Sequence, residues 1–259
     1  MVRRIAVDAG EIVLQYFDGA SGPVEHKGDG SPVTLADRKA EAFIQKSLLS
    51  VAPEIPVIGE EAAEAGNLPD LKNAEYFWLV DPLDGTKEFI AGGEDFTVNI
   101  ALVHGNAPVL GVVYAPATGT LYAGYGADSA VRWNRENDKD KSIHVRKPPN
   151  EGLTVAASLR HGDDKKLEKF LKEMKVEKIL KRGSSLKICA IAEGKADIYP
   201  RLGPTCEWDT AAGDAVLRAA GGTITDIDGK PLAYGGRNPK FLNPPFVACS
   251  FAWFAKDAA

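Results

Sequence analysis

The sequence predicts a layered α+β to α/β protein, with a largely antiparallel sheet and helices in its first half and a mixed α/β sheet in its second. Three observations carry this. Consecutive apolar runs separated only by short turns, over residues 96–133, have the spacing of an antiparallel meander. After residue 150 strand-like and helix-like segments alternate, the rhythm of α/β layering. Between them lies a polar stretch, residues 135–150, with Asp138-Lys139-Asp140-Lys141 and then Pro148-Pro149. It places a boundary between a domain at 1–147 and a second at 148–259.

Taken in order, residues 3–18 set Ile5, Ala6, Ala9, Ile12, Val13, Tyr16 and Phe17 at helical spacing, and Asp18-Gly19 ends that helix. Glycine and proline punctuate a turn or hairpin over residues 25–33. Thr34, three residues before Asp37, has the spacing of a helix cap, which makes Asp37 a capping carboxylate at the head of a helix over 38–50. A short strand at 56–58 delivers Gly59-Glu60-Glu61, and a polar loop follows over 62–74. The run 76–80 is a buried strand that gives way to a tight turn at Asp81-Pro82-Leu83-Asp84-Gly85. Strands are expected at 96–103, 109–114, 121–125 and 130–133. In the second half they are expected at 153–157, 178–181, 196–199 and near Thr223 and Val247, with helices at 163–174, 184–193 and 208–220. No internal repeat or low-complexity segment is present.

Lysine plus arginine total 31 against 36 acids, a formal charge of −5, so no basic field for a nucleic-acid polymer exists. The three cysteines, Cys189, Cys206 and Cys249, lack metal-type spacing and cannot all pair, which fits a reducing cytosol. The first residues lack a signal-peptide core, and no apolar run approaches a membrane span. A cytoplasmic protein is expected, with peripheral membrane association left open.

The turn at 81–86 is where chemistry is concentrated. Asp81, Asp84 and the Leu83 carbonyl can point at a common centre, an all-oxygen set suited to a hard cation such as Mg²⁺. Gly85 lets the backbone approach a ligand, and Thr86 adds a hydroxyl. An ordinary Asx-rich turn is the alternative. Glu60 and Asp209, like the two turn acids, follow an apolar segment or open a helix without a sequence-local cation. Buried together, such acids need divalent cations; taken singly, each can equally be a surface acid.

Asp81-Pro82-Leu83-Asp84-Gly85-Thr86 and Trp208-Asp209-Thr210-Ala211-Ala212-Gly213, with Gly59-Glu60-Glu61 ahead of them, resemble the signatures of the inositol monophosphatase superfamily. The resemblance covers residues 27–222. It implies the α-β-α-β-α sugar-phosphatase fold and two or three Mg²⁺ ions held by Glu60, Asp81, the Leu83 carbonyl, Asp84 and Asp209. It also implies an Asp37–Thr86 pair that orients or deprotonates the attacking water, and inhibition by Li⁺.

Within the superfamily the chain is similar to the 3'(2'),5'-bisphosphate nucleotidases of sulfur metabolism. The likeness rests on Lys87-Glu88-Phe89, on residues 27–34, on Gly183-Ser184-Ser185-Leu186-Lys187 and on Tyr199-Pro200-Arg201. Ser158 and His161 match that branch, whereas Leu159 and Arg160 depart from it. Where inositol enzymes carry a glutamate seven residues before the second-signature Asp, this chain has Leu202, which cannot hold sugar hydroxyls. Arg201 beside it can clamp a second phosphate instead. Ser184 and Lys187 stand near a helix start, where amides favour an anion.

The expected substrate is therefore adenosine 3',5'-bisphosphate, with its sulfated relative a further candidate. Gly85, Thr86, Lys87, Ser158, His161, Gly183, Ser184, Lys187, Arg201 and Asp209 would line the substrate site, in a possible homodimer. Arg201 as a surface salt bridge, Lys187 as a solvated lysine and His161 as a solvated loop residue are the plain alternatives. A sugar phosphatase acting on inositol 1-phosphate or fructose 1,6-bisphosphate, and a non-catalytic phosphate-binding regulator, are the rival functions.

Overall fold

A computed structural model describes residues 1–17, 25–26, 32–159, 164–236 and 240–252. Its elements are α1 (Val2–Leu14), β1 (Glu25–His26), β2 (Pro32–Val33), α2 (Leu35–Val51), β3 (Val57–Gly59), α3 (Glu60–Glu64), β4 (Tyr76–Asp84) and α4 (Thr86–Ile90). The meander follows as β5 (Thr97–His104), β6 (Ala107–Ala115), β7 (Thr120–Tyr125), β8 (Val131–Asn134) and β9 (Lys139–Ser142). The second half comprises β10 (Leu153–Ser158), α5 (Asp164–Leu171), β11 (Val176–Arg182), α6 (Leu186–Ala192), β12 (Ile198–Arg201), α7 (Glu207–Ala219), β13 (Thr223–Asp226) and β14 (Phe246–Cys249).

Strands β3 to β9 form one seven-stranded sheet in chain order, antiparallel except for the parallel β3–β4 pair. A second sheet runs β11-β10-β12-β14-β13, parallel on one side and antiparallel on the other. On β5, Val98 and Ile100 pack with α1 and α2, and the alternate Ala101 and Val103 pack with α6 and α7. The latter core also takes in Ala156, Ile224, Phe246 and Ala248 of the second sheet, so α6 and α7 lie between the two sheets. Leu171 of α5 closes the outer face of the second sheet on Val155, Ile198 and Val247. The layers are α-β-α-β-α, as expected.

Three local expectations change. The first helix stops at Leu14, and beyond it the half-buried Phe17 ring packs against Phe89 and Phe96 in tilted contacts, with centroids 5.5 and 5.0 Å away. The polar run after residue 135 contributes β9, paired with β8. All four of its residues are exposed, so this edge strand has no apolar alternation to read. The expected turn after Val80 is a bulged continuation of β4: Asp81 pairs with Asn99 and Asp84 with Thr97, three steps on one strand against two on the other. Leu83 is buried inside the bulge, which keeps the strand going.

Helix α7 is seated unusually close to the sheet. A β-carbon placed on Gly111 of β6 would stand 2.2 Å from the Ala212 carbonyl oxygen and 2.8 Å from Ala215 Cβ. Small residues on both surfaces therefore fix the height of α7, and with it the position of Asp209 in its first turn. Gly111→Ala is expected to lower the unfolding free energy by about 1–3 kcal/mol in urea melts. Gly203→Ala, where nothing stands within 4 Å of the added carbon, is expected to leave stability near wild type.

Candidate functional site

The bulge in β4 and the first turn of α7 bring three acids together. One carboxylate oxygen from each of Asp81, Asp84 and Asp209 lies within 4.8 Å of the others. Asp81 is buried, and burial followed by the charges of Glu60, Asp84 and Asp209 pushes its carboxyl well above the ordinary range. Glu60 also hydrogen-bonds with Asp81, which places it at the edge of the cluster. Burial and Asp84 raise Asp209 to about 7, even though the Cys206 amide donates to its Oδ2 at 2.8 Å. Burial and the neighbouring acids thus both oppose ionisation in the cluster. A divalent cation relieves that opposition, and the donor set is all oxygen, so the residues fit Mg²⁺.

Thr86 opens α4, just beyond Gly85, whose φ of 93° suits glycine. The Thr86 hydroxyl lies 3.1 Å from the Leu83 carbonyl oxygen and 3.3 Å from Asp37 Oδ1. Asp37 Oδ2 accepts from the Thr34 amide at 2.8 Å and from the Thr34 hydroxyl at 2.6 Å. The two expectations for Asp37 are thus compatible: one oxygen caps α2 and the other faces Thr86.

The residues expected to meet substrate are placed as follows. Lys187 is buried, donates to the Ser184 carbonyl at 2.6 Å, and lies 5.3 Å from the centroid of the Tyr199 ring. Burial lowers it to about 8 despite the nearby Asp84. Arg201 donates to Ser158 Oγ at 3.3 Å and to the Pro204 carbonyl at 2.9 Å. Its buried Nε has no partner among the described residues. The Gly183 amide donates to Asp95 Oδ2, and the Ser184 hydroxyl donates to Asp84 Oδ2. Lys87 is exposed on α4. His161 and most of the segment 27–34 lie outside the described residues.

Several supporting residues were not read from the sequence. Glu41 accepts hydrogen bonds from the Glu61 and Ala62 amides, both at 2.8 Å, and so fixes the helix that carries Glu60. Gly59 makes room for it, since a β-carbon there would stand 2.4 Å from the Glu41 carboxyl. The signal was available: Asp37, Glu41, Ile44 and Leu48 share the buried stripe of α2, and an acid at apolar spacing has a polar partner to meet. Asp95, which holds Arg182 and Gly183, and Thr97, Asn99 and Ser185 were missed as well.

The profile of the inositol monophosphatase family matches residues 2–249. The chain is 45% identical over 249 residues to the 3'(2'),5'-bisphosphate nucleotidase CysQ of Salmonella typhimurium, covering 95% of this chain and 96% of that one. A solved structure of CysQ from Bacteroides thetaiotaomicron superposes with a TM-score of 0.78 at 35% identity, covering 97% of each chain. An inositol monophosphatase from Zymomonas mobilis superposes with a TM-score of 0.76 at 26% identity, covering 98% of this chain and 92% of that one.

Glu41→Ala leaves two amides without their acceptor. It is expected to cost about 1–3 kcal/mol in a denaturant melt and to weaken Mg²⁺ binding by calorimetry. A variant as stable as wild type with unchanged Mg²⁺ affinity would remove Glu41 from the support of the site.

Proposed function

The chain belongs to the inositol monophosphatase family, and from that premise we propose that it hydrolyses the 3'-phosphate of adenosine 3',5'-bisphosphate, with two or three Mg²⁺ ions. The observation that carries the proposal is the convergence of Asp81, Asp84 and Asp209 beside the Thr86–Asp37 pair. A non-catalytic phosphate binder has no use for a hydroxyl held by a carboxylate at the edge of a cation site.

Glu60, Asp81, the Leu83 carbonyl, Asp84 and Asp209 would hold the ions. Bound Mg²⁺ would supply charge neutralisation, phosphate binding and a lowered pKa for water. Asp37 draws the Thr86 hydrogen toward itself, which leaves Thr86 lone pairs to accept from and orient an attacking water. The water oxygen forms a bond to phosphorus as the ester P–O bond breaks. The water proton passes toward Thr86 and Asp37, and the departing 3'-oxygen takes up a proton, giving AMP and inorganic phosphate.

The nucleotide is supported by three things: the bisphosphate nucleotidase activity that the Salmonella relative is named for, Leu202 in place of a hydroxyl-binding acid, and the Arg201 guanidinium beside Ser158 for a second phosphate. Ser158, His161, Gly183, Ser184 and Lys187, with Lys87 and Gly85, complete the proposed nucleotide side. The sulfated nucleotide is a second candidate substrate. The proposal also includes domains at 1–147 and 148–259, a homodimer, a cytoplasmic setting and a part in sulfur metabolism. Cys189, Cys206 and Cys249 are thiols rather than disulfide partners, which suits a reducing setting, and no described helix is long and apolar enough to cross a membrane.

Phosphate release should be fastest on adenosine 3',5'-bisphosphate in a panel with inositol 1-phosphate and fructose 1,6-bisphosphate, and should fall with millimolar Li⁺. Preference for either sugar ester would replace the substrate. Thr86→Ala is expected to lower kcat by about 10²- to 10⁴-fold, and Asp84→Asn to abolish Mg²⁺-dependent turnover; wild-type rates in both would remove the site. Arg201→Ala should raise KM for the bisphosphate while sparing a nucleoside 3'-monophosphate, the comparison that isolates the second phosphate.

A further inference from the structure

Asp84 presents two unlike oxygens. Its Oδ2 accepts from the Ser184 hydroxyl at 2.7 Å, the Ser185 amide at 2.7 Å and the Ser185 hydroxyl at 2.9 Å. Three donors consume the acceptor capacity of one carboxylate oxygen, so Oδ1 is the oxygen with lone pairs left for a cation. Both serines come from the loop ahead of α6, across the interlayer from β4, and Ser184 sits at a φ of 52°, sparsely populated for a side-chain-bearing residue.

Each serine hydroxyl meets a second polar side chain, and both of these come from β5. Thr97 Oγ1 lies 2.5 Å from Ser184 Oγ, and Asn99 Nδ2 donates to Ser185 Oγ at 2.8 Å. Thr97 and Asn99 are fully buried and pair with Asp84 and Asp81 in the strand register. They stand on the face of β5 that continues as Ala101 and Val103, an apolar face turned toward α7. Two polar groups at that depth need partners, and they find them in each other, Thr97 Oγ1 donating to Asn99 Oδ1 at 3.0 Å, and in the hydroxyls on Asp84.

Proton counting gives the network a direction. A carboxylate can only accept, so Ser184 gives its single hydrogen to Asp84, while Ser185 shares its hydrogen between Asp84 Oδ2 and the Asp209 carbonyl. With its hydrogen on Asp84, Ser184 accepts from Thr97, whose one hydrogen lies between the Ser184 oxygen and Asn99 Oδ1, 3.0 Å away; Asn99 supplies the Ser185 oxygen with another hydrogen. The Asn99 amide cannot accept through nitrogen, so it prevents Ser185 from turning its hydrogen toward β5. The Ser185 hydroxyl also lies 2.9 Å from the Asp209 carbonyl, so it ties the first turn of α7 to the same network.

We propose that Thr97 and Asn99 are positioning residues for the cation site: through Ser184 and Ser185 they hold Asp84 Oδ2 and so present Asp84 Oδ1 to the ion. This rests on Asp84 being a ligand, as proposed above. Outer partners of metal ligands commonly govern affinity by about 10- to 100-fold, although they touch no ion.

The test is calorimetric titration of the protein with Mg²⁺ alone, beside thermal unfolding, for Thr97→Val, Thr97→Ser, Asn99→Leu and Asp84→Asn. Thr97→Val and Asn99→Leu are each expected to weaken Mg²⁺ binding by about tenfold or more. Thr97→Ser, which keeps the donor, should bind as wild type does. In phosphate release, the Mg²⁺ concentration for half-maximal rate should rise in step with the Mg²⁺ Kd, and saturating Mg²⁺ should restore most of kcat. A merely structural role would lower the melting temperature in Thr97→Val without moving the Mg²⁺ Kd, and that result overturns the proposal. If Asn99→Leu does not fold, the Thr97→Val and Thr97→Ser pair decides alone. Unchanged Mg²⁺ affinity in Asp84→Asn would instead refute the ligand assignment, and so separates the two failures.

Discussion

Electrostatic repulsion among Asp81, Asp84 and Asp209 is the constraint that the surrounding structure answers to. At the 4.8 Å limit on their separation, each pair of charges opposes ionisation by roughly 3 kcal/mol at an effective dielectric of about 20. Such a cluster is stable only when each acid is held by groups that cannot move away. Asp81 is held by its place in β4 and by the Leu83 amide, which donates to its Oδ1 at 3.0 Å. Asp209 is held by the Cys206 amide at the head of α7. Asp84 is held by Ser184 and Ser185. The holders come from both sheets and from the helices between them, so the cluster exists only in the fully assembled sandwich.

That dependence explains why small residues line α7. The helix must reach far enough toward the first sheet for Asp209 to meet the β4 bulge. Ala211, Ala212 and Ala215 on its side, and Gly111 on the sheet side, allow the approach. On its other flank Gly213 admits Ile188 of α6, with side-chain atoms 3.1 Å from the place of a β-carbon. Packing height and cation geometry are therefore one problem. A larger residue at the interface displaces an acid that is many residues away in the chain.

The layers and most strands were legible because their apolar periodicities are strong, as over 97–125. The acids were legible because two long strings around them, and Glu60 ahead, have a distinctive order. What stayed hidden has physical causes. β9 is an exposed edge strand of charged residues, so nothing in its pattern separates it from a linker. The bulge at Asp81 to Asp84 read as a turn because Pro82 and Gly85 are turn residues; only the burial of Leu83 and pairing with β5 keep it in the sheet. Glu41, Thr97 and Asn99 interrupt apolar faces at helical or strand spacing. Their meaning depends on which groups arrive from elsewhere in the chain. Ser184 was read as a substrate contact and Ser185 was not singled out; in the fold the hydroxyls of both donate to Asp84.

The last point bears on how substrate and site share donors. Each serine has one hydroxyl hydrogen, and Asp84, a buried-side anion, is a better acceptor than a neutral ester oxygen. A bound phosphate could draw those hydrogens only by competing with Asp84. When a cation occupies Asp84 Oδ1, the negative charge on Oδ2 falls and its hold on the serines weakens. The same ion that needs Asp84 positioned would then release some donor capacity toward a substrate oxygen. On the proposed assignment, cation binding and phosphate binding would be coupled through Ser184 and Ser185 without any change of backbone. Thr97 and Asn99 cannot take part in the exchange directly, because they lie behind the serines, sealed beneath α6 and α7.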